Sequence, residues 1–187
     1  RKNIIYSIKS RVAVLDNELL KALKETGCEG VRFGIESIVP HVLKTINKSL
    51  DLGKLERVLN EGLRLGLPLG AYILVGNPGE SFEDARETVV YAQQLMRRGV
   101  DISPAFGCYI YPGTELEPAA KEEGLLPENF DWAGPYSEPR NAILGYDTTV
   151  PVYISSALGY EKILELYNLH FANQGKRKPV ASLIKKA

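Results

Sequence analysis

Only two of the 187 residues are cysteine, Cys28 and Cys108. That is too few for a disulfide scaffold. The pair is also too far apart in sequence for a local metal knuckle, and the scarcity suits a reducing cytoplasm. Histidine is equally sparse: His41 and His170 have no partner at metal-ligand spacing. Net charge is absent, with Lys+Arg and Asp+Glu both at 23. The balance argues against a nucleic-acid binder working by bulk electrostatics, while leaving room for a local basic pocket. No apolar run approaches the roughly 18 residues of a membrane span, and no signal-peptide pattern opens the chain. There is no nucleophile elbow and no Ser/His/Asp pattern. The single methionine is Met96, and the chain opens on Arg1, almost directly in the strand-like run Asn3 to Ile8. We expect a piece cut from a longer protein.

Hydrophobic residues make up 44% of the chain, enough for a sizeable core. Strand-like and helix-like segments alternate. Residues 3–9 and 12–14 read as strand. Asp16 is a candidate N-cap, with Leu15 and Leu20 as a hydrophobic staple and Gly27 as the C-terminal stop. A short strand follows at 30–35, then a helix opened by Pro40. Leu52, Leu55, Leu59 and Leu63 mark one apolar helix face, and Gly66 ends it. A strand at 69–75 leads into the turn Gly76-Asn77-Pro78-Gly79. Ser81 and Asp84 suggest a capping box, and Arg97-Arg98-Gly99 suits a helix C-terminus. A strand over 102–111 precedes Pro112-Gly113-Thr114. Thr114 and Glu117 suggest a second capping box before a short helix ending at Gly124.

Strands separated by helical crossovers imply parallel pairing. The pattern is therefore α/β: part of a TIM-like β/α barrel with about four parallel strands. Residues 1–125 form this unit, and 126–187 form an extension with an irregular arm, one amphipathic helix at about 158–173 and a basic tail from Lys176. Phe33, Ile35, Tyr72 and Leu74 are expected on the concave face. An edge at Ile4, Ile5 and Ile8, without its neighbouring strand, invites self-association.

In parallel α/β folds, ligands sit beyond the C-terminal ends of the strands. Those ends are Ser10-Arg11, Gly34-Ile35-Glu36-Ser37, Gly76 to Glu80 and Tyr111 to Thr114. A carboxylate at Glu36 would accept hydrogen bonds from a ribose diol. It would serve equally as a surface cap on the next helix, and position alone leaves both readings open. The Gly76–Gly79 loop lacks the Gly-Lys-Ser/Thr ending of a P-loop.

The run Thr26-Gly27-Cys28-Glu29-Gly30-Val31-Arg32-Phe33-Gly34-Ile35-Glu36-Ser37, followed by Leu43 to Lys48, resembles the fourth strand and helix of radical S-adenosylmethionine (SAM) enzymes. Ile73 to Ser81 resembles the fifth strand, and Tyr109 to Leu116 the sixth. The resemblance covers residues 5–125 and is closest to the cobalamin-binding subgroup that includes anaerobic magnesium-protoporphyrin IX monomethyl ester cyclase. It implies a radical methylation, cyclisation or related reaction on a small-molecule substrate, with SAM, a [4Fe–4S] cluster and a cobalamin as cofactors of the parent. It implies that Glu36 holds the SAM ribose and Lys48 the methionine carboxylate. Tyr72 would line the ribose, and the backbone near Gly76 and Tyr111 would meet the adenine. Arg11 would face the carboxylate or the substrate. The family's three-cysteine cluster motif is absent, so this chain alone is expected to be inactive, with no catalytic residue and no metal site of its own. Two alternatives remain. One is a non-catalytic α/β module binding a nucleotide or partner. The other is a tRNA-methylthiolating radical SAM enzyme, although the short basic tail is unlike that group's nucleic-acid-binding barrel.

Overall fold

The computed structural model describes residues 4–172. The basic tail lies outside this range. Strands β1 (Tyr6–Ser10), β2 (Cys28–Glu36), β3 (Leu69–Val75) and β4 (Asp101–Phe106) form one parallel sheet in the order β1-β2-β3-β4. Helices α1 (Asn17–Glu25), α2 (Pro40–Thr45), α3 (Leu52–Arg64) and α4 (Phe82–Arg97) fill the crossovers. The expected partial barrel is therefore present.

Local signals acted as read at most element ends. The Asp16 side chain accepts a hydrogen bond from the Leu19 N–H at 2.8 Å, and Gly27 ends α1 in the left-handed region at φ 91°. Pro40 opens α2. Ser81 and Asp84 close a reciprocal box: the Ser81 N–H donates to the Asp84 carboxylate at 3.0 Å, and the Asp84 N–H donates to Ser81 Oγ at 3.2 Å.

Four expectations are corrected. Residues 12–14 form one 3₁₀ turn, held by Val14 N–H to Arg11 C=O and Leu15 N–H to Val12 C=O. The strand expected over 102–111 breaks at Gly107, which sits at φ 110°. Beyond it, β5 (Cys108–Tyr109) pairs antiparallel with β6 (Val152–Tyr153), a stretch of the arm. Thr114 forms no capping box. Its hydroxyl turns back to Tyr111 C=O, and Glu117 takes the Gly113 N–H instead.

The fourth correction concerns the faces of β2. Burial alternates along it, with Val31, Phe33 and Ile35 at 0–1% exposure and Gly30, Arg32, Gly34 and Glu36 only partly covered. Phe33 and Ile35 belong to the core with Leu20, Leu55, Leu59, Ile73 and Leu95, on the helix side. They do not line the concave face. Tyr72 and Leu74 are the half-covered residues of β3. Phe33 and Ile35 were misplaced because the helices on the outer face claim the large side chains of β2, leaving Gly34 and Glu36 on the concave side with Tyr72 and Leu74.

The described residues separate into two compact units: 4–74 with 90–105, and 75–89 with 106–172. The first unit holds the sheet and the core just described. The second has its own apolar cluster, with Val75, Val89 and Phe106 packed against Ile163, Leu166 and Tyr167 of α6 (Gly159–Phe171). The arm is tied in by backbone. The Gly107 N–H donates to Val75 C=O at 2.7 Å, and the Ser155 N–H donates to Gly76 C=O at 3.1 Å. A further cluster joins Ile110, Ala120 of α5 (Leu116–Glu122), Leu126 and Tyr153.

Glu117 anchors this second cluster. Its carboxylate accepts from the Gly113 N–H (2.8 Å), the indole N–H of Trp132 (3.0 Å) and the Lys121 ammonium (3.0 Å). Led by the Gly113 bond, these donors hold its pKa down at about 2. A carboxyl depressed in the folded state stabilises above its unfolded pKa and stops doing so as pH falls through the folded value. Glu117→Gln is therefore expected to lower the melting temperature at pH 7, with the deficit shrinking between about pH 4.5 and about pH 2. Trp132, the single tryptophan, reports the melt by fluorescence. A deficit that does not change with pH would contradict the assignment.

Candidate functional site

The sheet's C-terminal end in the first unit carries one cavity of about 850 Å³. Ser10, Arg11, Val12 and Ala13 form one wall, and Ile46 to Asp51 with Lys54 form another. Gly34, Glu36 and Leu74 come from the sheet. Three of the six residues singled out from sequence, Arg11, Glu36 and Lys48, therefore share one cavity. Tyr72 stands beside Gly34 in the β2–β3 register, outside the cavity wall, with the Lys9 ammonium 5.6 Å from its ring centre.

Two backbone devices aim the central pair. Glu36 ends β2 at φ 62°, and the Ser37 N–H reaches back to Ile35 C=O at 2.9 Å. This is a three-residue turn centred on Glu36, a strained form for a non-glycine residue. The register with β3 slips at the same point, from Gly34–Tyr72 to Glu36–Ile73, as at a bulge that re-aims a side chain. On the other side, α2 closes with Asn47 at φ 51°. The Lys48 N–H donates to Leu43 C=O at 2.8 Å, and the Asn47 N–H donates to Lys44 C=O at 3.1 Å. That double bond pattern is a Schellman stop with Asn in the left-handed place, and it turns Lys48 toward the strand end. The Lys48 ammonium then meets Glu36 Oε1 at 2.8 Å, with about a quarter of each side chain exposed. Among the described residues, Glu36 and Asn47 are the only non-glycine positions at positive φ.

Sequence reasoning missed Lys54 and Asp51. Asp51 caps α3 through the Lys54 N–H at 2.9 Å, and the Lys54 ammonium bonds Ala13 C=O, tying the 3₁₀ turn to the opposite wall. The Asp51-x-x-Lys54 spacing was the available signal. Also missed was Arg32, which lies over Gly70 and pairs with Asp101 and with Ser103 Oγ (3.3 Å).

Gly76 and Tyr111 belong to the second unit. Both backbone groups of Gly76 are engaged there: its N–H by Glu80 Oε2 at 2.6 Å, and its C=O by the Ser155 N–H. Glu80 is fully buried and also accepts the Asn77 N–H at 2.9 Å. Burial raises its pKa, against the pull of those N–H groups. Tyr111 is exposed, its ring 6.1 Å from that of Tyr109.

This arrangement of parallel strands and crossover helices recurs among known structures. A structure of the radical SAM methyltransferase TsrM from Kitasatospora setae, with tryptophan substrate and a SAM analogue bound, superimposes with a TM-score of 0.65. It has 18% identity and covers 89% of this chain and 35% of its own. Coproporphyrinogen III oxidase of Escherichia coli, a radical SAM enzyme, gives 0.56 at 15% identity, over 90% of this chain and 32% of its own. The fold is that of a radical SAM barrel.

Curated sequences similar to this chain include methyltransferases. An uncharacterized methyltransferase of Pyrococcus horikoshii is 33% identical over 125 residues, 66% of this chain and 26% of its own length. Cytidylyl-2-hydroxyethylphosphonate methyltransferase of Streptomyces wedmorensis is 33% identical over 119 residues, 60% of this chain and 22% of its own. Bacteriochlorophyllide d C-8(2)-methyltransferase of Chlorobaculum tepidum is 28% identical over 114 residues, 59% and 24%. The chain thus spans about a quarter of the length of these relatives. No family model matches it.

Proposed function

We propose that this chain is the SAM-binding part of a radical SAM methyltransferase acting on a carbon of a small-molecule substrate. The observation that supports it most is the Glu36–Lys48 pair in a cavity at the strand ends of a radical SAM barrel, built with a strained backbone at Glu36. Strain of this kind is kept where geometry serves a site. Bound SAM would supply the methyl and adenosyl chemistry. Within the cavity, Glu36 would accept the ribose hydroxyls, and Arg11 would face a carboxylate, a planar donor suited to that group. The match to methyltransferases among the relatives favours group transfer over cyclisation.

A cubane cluster takes three or four thiolates. The chain has two cysteines, and among the described residues no three His, Cys, Asp or Glu side chains are placed to hold a metal ion. The residues present do not fit the cluster, so in this reading the reductive chemistry belongs to groups outside this chain. TsrM from Kitasatospora setae binds cobalamin and a [4Fe–4S] cluster, which supports a cobalamin in the parent. Ile4 and Ile5, 69% and 67% exposed beside the edge strand β1, support the reading that this edge pairs with another strand. Among the described residues no helix is long and apolar enough to cross a membrane.

Glu36→Gln is expected to weaken SAM binding by roughly tenfold or more, the loss expected when a charged hydrogen bond is replaced. Equilibrium dialysis with labelled SAM measures it, and unchanged affinity would reject the assignment.

A further inference from the structure

Lys48 has two possible partners in the SAM reading: the amino-acid carboxylate of the ligand, or a group of the protein. We infer that Lys48 is a positioning residue for Glu36, and that the missing side chain at Gly34 is what lets it act. This rests on the ribose reading of Glu36 and goes beyond it.

Three independent features converge on the pair. The Schellman stop at Asn47 delivers Lys48 to the strand end, and the turn at Glu36 swings the carboxylate to meet it. Both placements require unfavourable backbone at a non-glycine residue. Gly34 then supplies the space. A Cβ built at Gly34 would lie 2.1 Å from Glu36 Oε1 and 2.7 Å from the Lys48 ammonium nitrogen, distances no packed methyl tolerates. The ion pair therefore lies flat against the strand where a side chain would otherwise stand. A side chain at position 34 would force the carboxylate and the ammonium out of these positions.

The contact leaves the carboxylate usable. Each carboxylate oxygen accepts about two hydrogen bonds. With Lys48 on Oε1, Oε2 and the second lone pair of Oε1 keep capacity to accept from a vicinal diol. A carboxylate fixed before the ligand arrives loses less rotamer freedom on binding, so removing Lys48 should weaken a diol ligand that has no carboxylate at all. The ligand's carboxylate then falls to Arg11, which lines the same cavity.

The test uses three probes on the ¹⁵N-labelled 187-residue chain, followed by NMR: adenosine, 2′,3′-dideoxyadenosine as the diol-free control, and S-adenosylhomocysteine, which adds the amino-acid carboxylate. Lys48→Met is expected to weaken adenosine about tenfold and S-adenosylhomocysteine by the same factor, with dideoxyadenosine unaffected. Lys48→Arg should restore part of the loss, which a general structural role would not predict. Gly34→Ala should match Lys48→Met. Should it fail to fold, the lysine variants, which alter a partly exposed side chain, still decide the matter. If Lys48→Met spares adenosine and weakens only S-adenosylhomocysteine, the lysine serves the ligand carboxylate and the inference is wrong. If Glu36→Gln leaves adenosine unchanged, the ribose reading itself falls, and this inference with it.

Discussion

Phe33→Ala should cost about 3–5 kcal/mol, the range for truncating a buried aromatic ring. Phe33 is 1% exposed and sits on the helix side of β2, in one core with Leu20, Leu55, Leu59 and Leu95. Those helices are fixed by their own caps and the backbone beneath is hydrogen-bonded on both sides, so the site has little room to collapse. Native domains are typically stable by about 5–15 kcal/mol, so the variant would be close to unfolding at room temperature. Urea denaturation measures the loss as a lower midpoint at constant slope. Tyr72→Ala, on the other face and partly exposed, should lose less than half as much. If the order of the two variants is reversed, the face assignment of β2 is wrong.

Mild acid should destabilise the second unit through His170. This imidazole is 1% exposed on α6, with the rings of Phe106 and Phe171 at 6.0 and 4.8 Å. Burial pushes its pKa down from 6.5 to about 4. The unfolded chain therefore binds a proton first as pH falls, so His170 costs nothing above about pH 6.5 and destabilises progressively down to about pH 4. The loss should be roughly 2 kcal/mol, after allowing for residual hydration of the ring. Glu80 runs the other way: its raised pKa favours folding as it takes up a proton above the usual carboxylate range. Denaturation at pH 7 and pH 4.5 should show the step in wild type and not in His170→Leu. A step of equal size in His170→Leu would assign the acid sensitivity elsewhere.

The element order and most helix ends were legible because they are written locally. Asp16, Pro40, Gly66, Ser81 and Gly99 each act within a turn of their own position. Glu36 was singled out by its place at a strand end, and Lys48 through the family resemblance alone. Their contact was not, because it depends on a left-handed Asn47 and a turn at Glu36 that neither residue type announces. The face of β2 was misread because Phe33 and Ile35 alternate with Arg32, Gly34 and Glu36 in a pattern that fits either side. Only the apolar faces of α1 and α3 decide it. The break at Gly107 was hidden for a different reason. A single glycine inside Phe106 to Tyr109 says nothing of the partner strand at 152–153, more than 40 residues on.

The two compact units are interleaved along the chain, and the lines between them fall inside β3, α4 and β4. No single cut can release either one whole. Cleavage after Leu74 would strip the first unit of residues 90–105, and with them β4 and its Arg32 partner Asp101. During synthesis the first unit cannot be complete until Ala105 has left the ribosome, by which time the opening segment of the second has already emerged. The opening segment of the second unit is thus made before the first is complete, and a chain stalled before Ala105 would leave both without part of their cores.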